Sequence, residues 1–441
     1  MTPTRPYKIN VIIIIIAVMG AVYADKPFAQ EVIVTEGKED VPVKSVLIVP
    51  FAFHSDTLGL SVGATAGARG WLQPQATLRG TVVGADTGSK YLFLGAEDLQ
   101  FPWTRRLFVD VNFSIGEFSQ IDIYQDGNPD YTDETAGSND SDPDDFVEGE
   151  GNDNFMDIKF KYLLPIGYGR NNTKSTVVLR DGLRVAGGLD CKKWNPFTDG
   201  VSLFAVKFFY RNQDVEIEDT GEDVEIKTSG AEFSLAYNTT DFTVNPSRGS
   251  LQQISLARDW SQLDESNPWT TIDFSWSKYL SLGTGKYARE RVLAFSFWII
   301  DTPTWDEYDT EDGEKIYHRP PSYAGATIGG LDRMRGYTAG RFHSRSAVYY
   351  AAEYRHFLHW NPLRDMRFLH KLNVHVDWLQ LAVFAEYGRV ADEFDMSELH
   401  TDMKWSSGAG IRAFVNHLLV RIDSGVSEED AKVQMTIGHP F

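Results

Sequence analysis

The nine residues that end the chain, VQMTIGHPF (433–441), alternate between apolar and polar or small side chains. In an extended strand successive side chains point to opposite faces. The odd-numbered residues from Val433 to Phe441 therefore share one face, and the even-numbered residues from Gln434 to Pro440 share the other. A strand with one apolar face is typical of a barrel whose strands meet lipid on one side and a polar lumen on the other.

The same period of two recurs along most of the chain, for example over 58–63, 348–355 and 418–426. Arg421 and Asp423 fall on the same face of their segment, where they can satisfy each other only in a wet interior. Counting such segments from Lys44 to Phe441 predicts an all-β protein, a transmembrane antiparallel β-barrel of sixteen strands. An even number is expected for a single-chain bacterial barrel.

Five tryptophans stand near predicted strand ends, where aromatic girdles of membrane barrels lie: Trp71, Trp103, Trp260, Trp360 and Trp378. A soluble β-sandwich or propeller also has strands of period two and would bury such residues in its core. The membrane interpretation is favoured by strands near the 9–11 residues that a tilted crossing needs and by an export signal at the N-terminus.

That N-terminal signal has the three parts of a secretory signal peptide. Arg5 and Lys8 precede an apolar run of fourteen residues from Val11 to Ala24, with small residues near its end. The run is too short for a membrane-spanning helix, which needs roughly 20 apolar residues. The sequence predicts a signal peptide over 1–24, a short periplasmic segment over 25–45 and a barrel domain over 46–441.

Composition excludes several classes of function. The formal charge is −20, with 42 basic and 62 acidic residues, so no basic surface is expected along which a nucleic acid could bind. Cys191 is the single cysteine, which excludes an internal disulfide and a multi-thiolate metal site. No cofactor is expected.

The segment 126–157 contains twelve acidic residues and no Lys or Arg. Such a run is typical of a solvated loop, and counting strands places it on the periplasmic side. Asp140, Asp142 and Asp144 have the alternate spacing of a calcium loop, but Asp145 replaces its glycine and no Glu stands at the twelfth position. These three aspartates are the candidates for a divalent cation, and no metal site is predicted.

One further motif has an enzymatic interpretation. The segment GLSVG (59–63) matches the G-x-S-x-G nucleophile elbow. Such an elbow requires a sharp turn from strand to helix. Ser61 lies in the middle of an alternating run, so a strand residue is the favoured interpretation and no enzyme is predicted. An outer-membrane lipid hydrolase is kept as an alternative.

Five motifs, in chain order, resemble those of the BamA/TamA surface-antigen family. They are NTTDFTVNPSRG (238–249), GGLDRMRGY (329–337), FAEYG (384–388), SGAGIR (407–412) and LVRID (419–423). The first resembles the turn of that family, with Asp241, Asn245, Pro246, Arg248 and Gly249 at matching positions. The second resembles its Arg-Gly-Phe/Tyr loop.

This resemblance implies that the loop carrying Arg335, Gly336 and Tyr337 folds back into the lumen, where Arg335 pairs with acidic groups of the wall. The alternation places Glu353 and Glu386 on lumen-facing positions, so we expect them to be these partners. Two interpretations remain open. The loop is either a latch that controls whether the first and last strands stay paired, or a structural plug with no gating.

The resemblance also implies a location in the bacterial outer membrane and a role in membrane biogenesis, or in translocation or display of a partner protein. The segment 25–45 is too short for a periplasmic POTRA module, so a barrel-only relative is expected. Its expected surroundings are outer-membrane lipid and lipopolysaccharide, with a periplasmic or lipoprotein partner, and the barrel is expected to be monomeric. Phe441 is predicted to act as a C-terminal assembly signal, and a passive channel is the main alternative function.

Overall fold

The computed structural model describes residues 32–37, 41–55, 58–124, 136–191, 193–218, 221–262, 267–305, 318–371 and 374–441. The predicted signal peptide lies outside the described residues. The strands are β1 Val32–Glu36, β2 Ser45–Ser55, β3 Gly59–Arg69, β4 Thr77–Ala85, β5 Lys90–Gln100, β6 Leu107–Ile123, β7 Val147–Leu163, β8 Ser175–Arg180, β9 Leu183–Gly187, β10 Val201–Ile217, β11 Asp223–Asn238, β12 Gly249–Asp259, β13 Thr270–Gly285, β14 Ala288–Asp301, β15 Ala326–Ile328, β16 Phe342–Ser344, β17 Ser346–Leu358, β18 Val376–Ala391, β19 Lys404–Val415, β20 Leu418–Val426 and β21 Ala431–Ile437. One short helix, α1, spans Arg367–Lys371, and 3-10 turns span Gly167–Arg170 and Glu398–His400.

Sixteen of these strands form one antiparallel sheet, in the order β2-β3-β4-β5-β6-β7-β10-β11-β12-β13-β14-β17-β18-β19-β20-β21. Each strand pairs with the next barrel strand along the chain, as in an up-and-down barrel. The prediction of sixteen antiparallel strands is confirmed. β1, β8, β9, β15 and β16 stand outside this sheet.

The first and last barrel strands, β2 and β21, are the two edges of this sheet, and we call the boundary between them the seam. Within the described residues, no backbone pairing joins β2 to β21. Instead, Asn416 Nδ2 donates to the Val46 carbonyl at 2.9 Å, and Leu418 packs with Leu47 and over Gly67. Side-chain contacts between β2 and the start of β20 therefore close this part of the seam.

The faces of the barrel are the reverse of those of a soluble sheet. Large apolar side chains point outward and are exposed, as at Ile48 (62%), Phe208 (53%) and Ile411 (54%). Charged side chains such as Glu353 and Arg412 point into the lumen and are almost fully buried. An apolar outer face and a polar lumen are the arrangement typical of a barrel that crosses a membrane. No helix among the described residues is long and apolar enough to span a membrane.

The barrel has a termini end, where β2 begins and β21 ends, and a loop end opposite. Five strands, β2 to β6, precede the acidic connection between β6 and β7. An odd number of crossings puts this connection at the loop end, so its predicted placement on the side of the chain termini is wrong. Part of the acidic segment is also strand rather than loop, because β7 begins at Val147.

Four of the five tryptophans assigned to girdles lie exposed at barrel rims. Trp71, Trp103 and Trp360 are in turns of the termini end, and Trp260 follows β12 at the loop end. Trp378 is fully buried instead, stacked on Phe414 at a centroid distance of 5.3 Å. It faces the lumen, where it packs on a small sheet formed by β1, β8 and β9, so its assignment to a girdle is wrong.

Candidate functional site

In the connection between β14 and β17 the structure describes residues 302–305 and 318–345. Residues 318–345 enter the lumen, and we call them the lumen loop. Its short hairpin of β15 and β16 supports a turn in which the Tyr337 N–H donates to the Met334 carbonyl at 3.0 Å. Met334 has a φ of 55°, in the left-handed region that costs a side-chain-bearing residue energy. This turn projects Arg335 toward the wall.

Arg335 contacts three acidic side chains of the barrel wall. Its Nε donates to Glu386 Oε1 at 3.0 Å, while Nη1 lies 3.2 Å from Glu353 Oε2 and 2.7 Å from Asp423 Oδ2. Its guanidinium also lies over the ring of Phe384. The structure thus brings Arg335 together with both carboxylates that the sequence nominated, and adds Asp423.

Glu353 is the centre of this group of charges. Besides Arg335, it accepts hydrogen bonds from Arg355 Nε at 2.6 Å and from Arg412 Nη1 and Nη2 at 2.7 and 2.5 Å. Planar guanidinium groups suit such bidentate contacts. Sequence reasoning placed Arg412 in a family motif without giving it a partner. Arg412 lies on the same strand face as Gly408 and Gly410. That face points into the lumen, so its position in the sequence could have indicated a partner there.

The charged side chains around Arg335 form one group, which we call the ionic cluster. Its members are Asp332, Glu353, Glu386, Asp423, Arg335, Arg355, Arg412 and Arg421. Four carboxylates meet four guanidinium groups, so the formal charge is zero. Burial opposes the charge of Arg335, but Glu386, Asp423 and Glu353 outweigh it and raise its pKa well above the usual value. Arg335 therefore stays charged inside the lumen.

Gly336 lies against β19, the end of β20 and the turn that follows it. Its N–H donates to Ser406 Oγ, and its carbonyl accepts from Ser427 Oγ, both at 2.9 Å. A Cβ on Gly336 would stand 2.6 Å from the carbonyl carbon of Val426, and one on Gly425 would stand 2.7 Å from that of Arg335. Glycine at both positions lets the loop backbone touch β20.

Tyr337 is buried beside the same contact. Its ring packs edge-on against Phe342 at 5.1 Å, within an apolar cluster that includes Met334, Ile328 and Tyr349. Burial raises the pKa of Tyr337 to about 12, so the phenol is neutral at physiological pH. Tyr337 fixes the loop by apolar packing.

At the loop end of the barrel, Arg341 links the lumen loop to two other segments. Its guanidinium donates to the Ser141 carbonyl at 2.6 Å and to both oxygens of Glu429 at 2.9 Å. Residues 136–146 form a lid that lies over the lumen loop, and Glu429 belongs to the turn between β20 and β21. The sequence gave no partner for Arg341, because these contacts join residues 200 and 88 positions apart.

The three aspartates considered for a cation lie in this lid. Asp140, Asp142 and Asp144 are all exposed, and Asp142 Oδ1 accepts from the backbone N–H of Asp144 at 3.0 Å. Across the described residues, no group of three or more His, Cys, Asp or Glu side chains converges as a metal site would require. The geometry gives no support to cation binding there.

The turn motif over 238–249 lies at the termini end and is organised by Asp241. Its Oδ1 accepts from the backbone N–H groups of Phe242, Ser247 and Arg248 at 2.9–3.1 Å, and its Oδ2 accepts from Ser247 Oγ at 2.7 Å. Pro246 is buried, while the Arg248 side chain is exposed. Gly249 has a φ of 98°, and a Cβ there would stand 2.2 Å from the Thr239 carbonyl oxygen.

Asn245 of this motif binds the end of the chain. Its Oδ1 lies 3.0 Å from His439 Nε2, and His439 Nδ1 lies 2.8 Å from Arg412 Nη1. Gly438 has a φ of 104°, which ends β21 and turns the last three residues into the lumen. The prediction that His439 and Phe441 share the lipid face of the closing strand is wrong for this reason. Phe441 packs in the lumen with the apolar clusters there.

Ser61, the residue of the elbow-like motif, is a buried residue within β3. Its Oγ lies 3.5 Å from the Leu58 carbonyl oxygen. The chain continues as strand to Arg69, so the strand-to-helix turn of a nucleophile elbow is not formed here.

Comparisons with known proteins agree with this architecture. An Omp85 superfamily domain matches residues 197–441, which is 245 of 441 residues. No curated protein matches the sequence significantly. Among solved structures, CdiB from Escherichia coli is similar at 11% identity, with a TM-score of 0.52, covering 91% of this chain and 62% of that one.

Two further solved structures are similar over a comparable span. For BamA from Haemophilus ducreyi lacking POTRA domains 1–3, identity is 11%, the TM-score is 0.45, and 90% of this chain and 70% of that chain are covered. For CdiB from Acinetobacter baumannii, the values are 12%, 0.47, 89% and 59%. The chain spans about three fifths of the length of the two CdiB chains. Since the domain match covers more than half of its residues, the chain belongs to the Omp85 superfamily.

Proposed function

We propose that this barrel lies in the bacterial outer membrane and assists the insertion or translocation of a partner polypeptide at the seam between β2 and β21. The observation that carries the proposal is the seam itself. In the described residues, every neighbouring pair of barrel strands from β2–β3 to β20–β21 shares a hydrogen-bonded register, but β2 and β21 do not. Strand edges without partners are templates for adding another strand.

The short last strand supports this role. β21 has seven residues, and beyond Ile437 the tail turns into the lumen, so the seam edge of β2 has no strand paired with it at the termini end. Among the described residues, contacts such as Asn416 to Val46 and the packing of Leu418 with Leu47 span the seam there. Separating such contacts costs less than breaking a continuous ladder, because each net hydrogen bond contributes only about 0.5–1.5 kcal/mol.

The lumen loop is proposed to act as a latch as well as a plug. Its apex contacts β21 and the turn before it, because Gln434 Nε2 of β21 lies 3.4 Å from the Arg335 carbonyl oxygen and Ser427 binds Gly336. The ionic cluster then fixes this apex to β17, β18 and β20. Movement of the loop would therefore be felt at the last strands, as the latch interpretation requires.

A passive channel is the second candidate, because a cavity of about 520 Å³ lies in the lumen, lined by polar groups such as Asp153, Arg211 and Ser275. The lumen loop and the tail also line this cavity. We propose that they keep it from acting as an open pore. A periplasmic or lipoprotein partner and contacts with lipopolysaccharide belong to the same proposal.

Site-specific photocrosslinking in cells tests the seam. A photoreactive amino acid at Ile48 of β2 or Val433 of β21 is expected to capture a polypeptide that mass spectrometry identifies. The matched control is Phe208 of β10, which also faces outward and is similarly exposed but lies far from the seam in strand order. Equal capture of the same polypeptide at Phe208 would contradict a seam-specific role. Large, steady conductance of the parent barrel in planar bilayers would favour the passive channel.

A further inference from the structure

A second structure obstructs the lumen at the termini end, far from the apex of the lumen loop. It is the sheet of β1, β8 and β9, which we call the mouth sheet. β8 and β9 belong to the connection between β7 and β10. They form a hairpin whose two-residue turn, Asp181-Gly182, has φ values of 50° and 70°, as a tight hairpin turn requires.

Both ends of this hairpin are held by the barrel. At the tip, Trp378 Nε1 donates to the Gly182 carbonyl at 2.9 Å, and Arg364 pairs with Asp181 at 2.5 Å. Arg184 Nε of β9 lies 3.4 Å from Asp241 Oδ2, and at the base Gly188 lies against the Asp241 carbonyl, in the turn after β11. The hairpin therefore crosses the mouth from the turn after β11 to the start of β18.

β1 completes the sheet by pairing in parallel with β8, from Val32 opposite Ser175 to Glu36 opposite Leu179. Val32 and Val34 are buried with Val177 and Leu179 in an apolar cluster that also contains wall residues Trp378, Phe414 and Leu419. Phe441 packs against this cluster on one side and lines the lumen cavity on the other. The tail therefore lies between the mouth sheet and the cavity.

The backbone groups of β1 alternate in direction. Gly37 N–H donates to the Leu179 carbonyl of β8 at 2.8 Å. The Val34 carbonyl accepts from Val43 N–H at 2.8 Å and the Val32 carbonyl from Arg69 at 2.9 Å, both on the side away from β8. Residues 33 and 35 therefore face β8, because backbone groups of alternate strand residues point to opposite sides.

β1 is also tied to the seam. Only eight residues, 37–44, separate it from β2, the first strand of the barrel. Glu36 lies 3.4 Å from His417 Nε2 in the turn between β19 and β20, and the neighbouring Asn416 holds Val46. Moving β2 away from β20 breaks the contact between Asn416 and Val46 and pulls on β1, which in turn strains the contact between Glu36 and His417.

From these contacts we propose that the mouth sheet is a second closure of the lumen, and that β1 links this closure to the seam. The hairpin keeps its own anchors when β1 leaves. Opening of the seam releases β1. The space that β1 fills between β8 and the barrel wall at Arg69 then becomes open. The lumen loop and the mouth sheet then act in series, so removal of either one leaves the lumen closed.

Single-channel conductance in planar bilayers, without any polypeptide substrate, tests this proposal. The variants are a deletion of residues 331–345, the pair Ile33→Pro and Thr35→Pro, and their combination. Proline removes the N–H groups that face β8. We expect each change alone to give small conductance and the combination to give conductance several-fold larger. Full conductance on deletion of 331–345 alone would overturn the proposal.

A reversible crosslink serves if the proline variants fail to fold. Val34→Cys and Val177→Cys stand at paired positions, within the Cα separation that a disulfide accepts, and Cys191→Ser removes the native thiol. With residues 331–345 deleted, Asn416→Ala is expected to raise the frequency of open events severalfold, and oxidation is expected to abolish the increase until a reductant is added. Openings of the Asn416→Ala protein that persist in the oxidised state would overturn the link between β1 and the seam. These outcomes do not depend on whether the seam admits a polypeptide.

Discussion

Glu386 holds Arg335 at two points, since its Oε2 accepts from the Arg335 backbone N–H at 2.7 Å and its Oε1 accepts from Nε at 3.0 Å. The first contact fixes the backbone of the lumen loop and the second orients the guanidinium. Replacing Glu386 by alanine removes both and leaves the cluster with an excess positive charge. Breaking a buried pair in this way costs about 3–5 kcal/mol.

We therefore expect Glu386→Ala to detach the apex of the lumen loop, seen as faster proteolysis within 331–345 in folded barrels. Glu150→Ala is the matched control, since Glu150 is exposed on β7 near the loop end. Proteolysis of the lumen loop at the parent rate in Glu386→Ala would show that the loop is held without this carboxylate.

Glu353 should be harder to replace than Glu386, because it contacts three guanidinium groups. Glu353→Gln leaves Arg335, Arg355 and Arg412 close together with too little negative charge among them. Arg412→Gln removes one of these charges, so the double variant is expected to recover part of the lost stability. A double-mutant cycle on urea unfolding in detergent or lipid measures the coupling, which contacting residues typically show at about 0.5–3 kcal/mol. Simple additivity of the two losses would contradict a shared cluster.

Close contact between Gly425 and the lumen loop predicts a steric effect. A methyl group at Gly425 would stand 2.7 Å from the Arg335 carbonyl carbon, and such overpacking typically costs about 1–3 kcal/mol. Gly425→Ala should displace the apex of the loop without altering any charge. Gly84→Ala is the control, because a Cβ there meets nothing within 4 Å. If both variants leave the protease sensitivity of 331–345 unchanged, the loop does not depend on this contact.

The sequence predicted the barrel well, because each strand shows the alternation of apolar and polar residues within its own segment. Arg421 and Asp423 two positions apart, and Glu353 and Glu386 within apolar runs, were enough to mark the lumen face. The charge partners Arg335, Glu353 and Glu386 followed from that face together with the family-like loop. Whether the loop gates the seam or only fills the lumen could not follow from the residues alone.

The mouth sheet could not be predicted in the same way. β1 has five residues and pairs in parallel with β8, which lies 143 positions away along the chain. No local sequence pattern therefore predicts this pairing. The inward turn of the tail depends on the backbone conformation of Gly438. The alternation of apolar and polar residues carries no information about that conformation. The sequence paired Asp423 with Arg421, which lies 3.5 Å away, but the contact of Asp423 with Arg335 and the partners of Arg341 join distant segments that only the folded barrel brings together.

The lid at the loop end should respond to acid through His343. Its backbone N–H donates to the Gly137 carbonyl at 2.8 Å, and its ring packs against Trp305 at 5.6 Å. Burial lowers the pKa of His343 to about 4, whereas a solvated histidine titrates near about 6.5. The released form therefore binds a proton that the docked form does not, so docking is fully stable above about pH 6.5 and weakens as the pH falls toward 4.

A spin label at Asp142→Cys, with Cys191→Ser, reports this change, since Asp142 is an exposed residue of the lid. We expect its mobility to increase between pH 7 and pH 4.5 in the otherwise unchanged protein. His343→Gln cannot take up the proton, so its lid should show the same mobility at both pH values. A pH response that persists in His343→Gln would show that His343 is not the group that controls the lid.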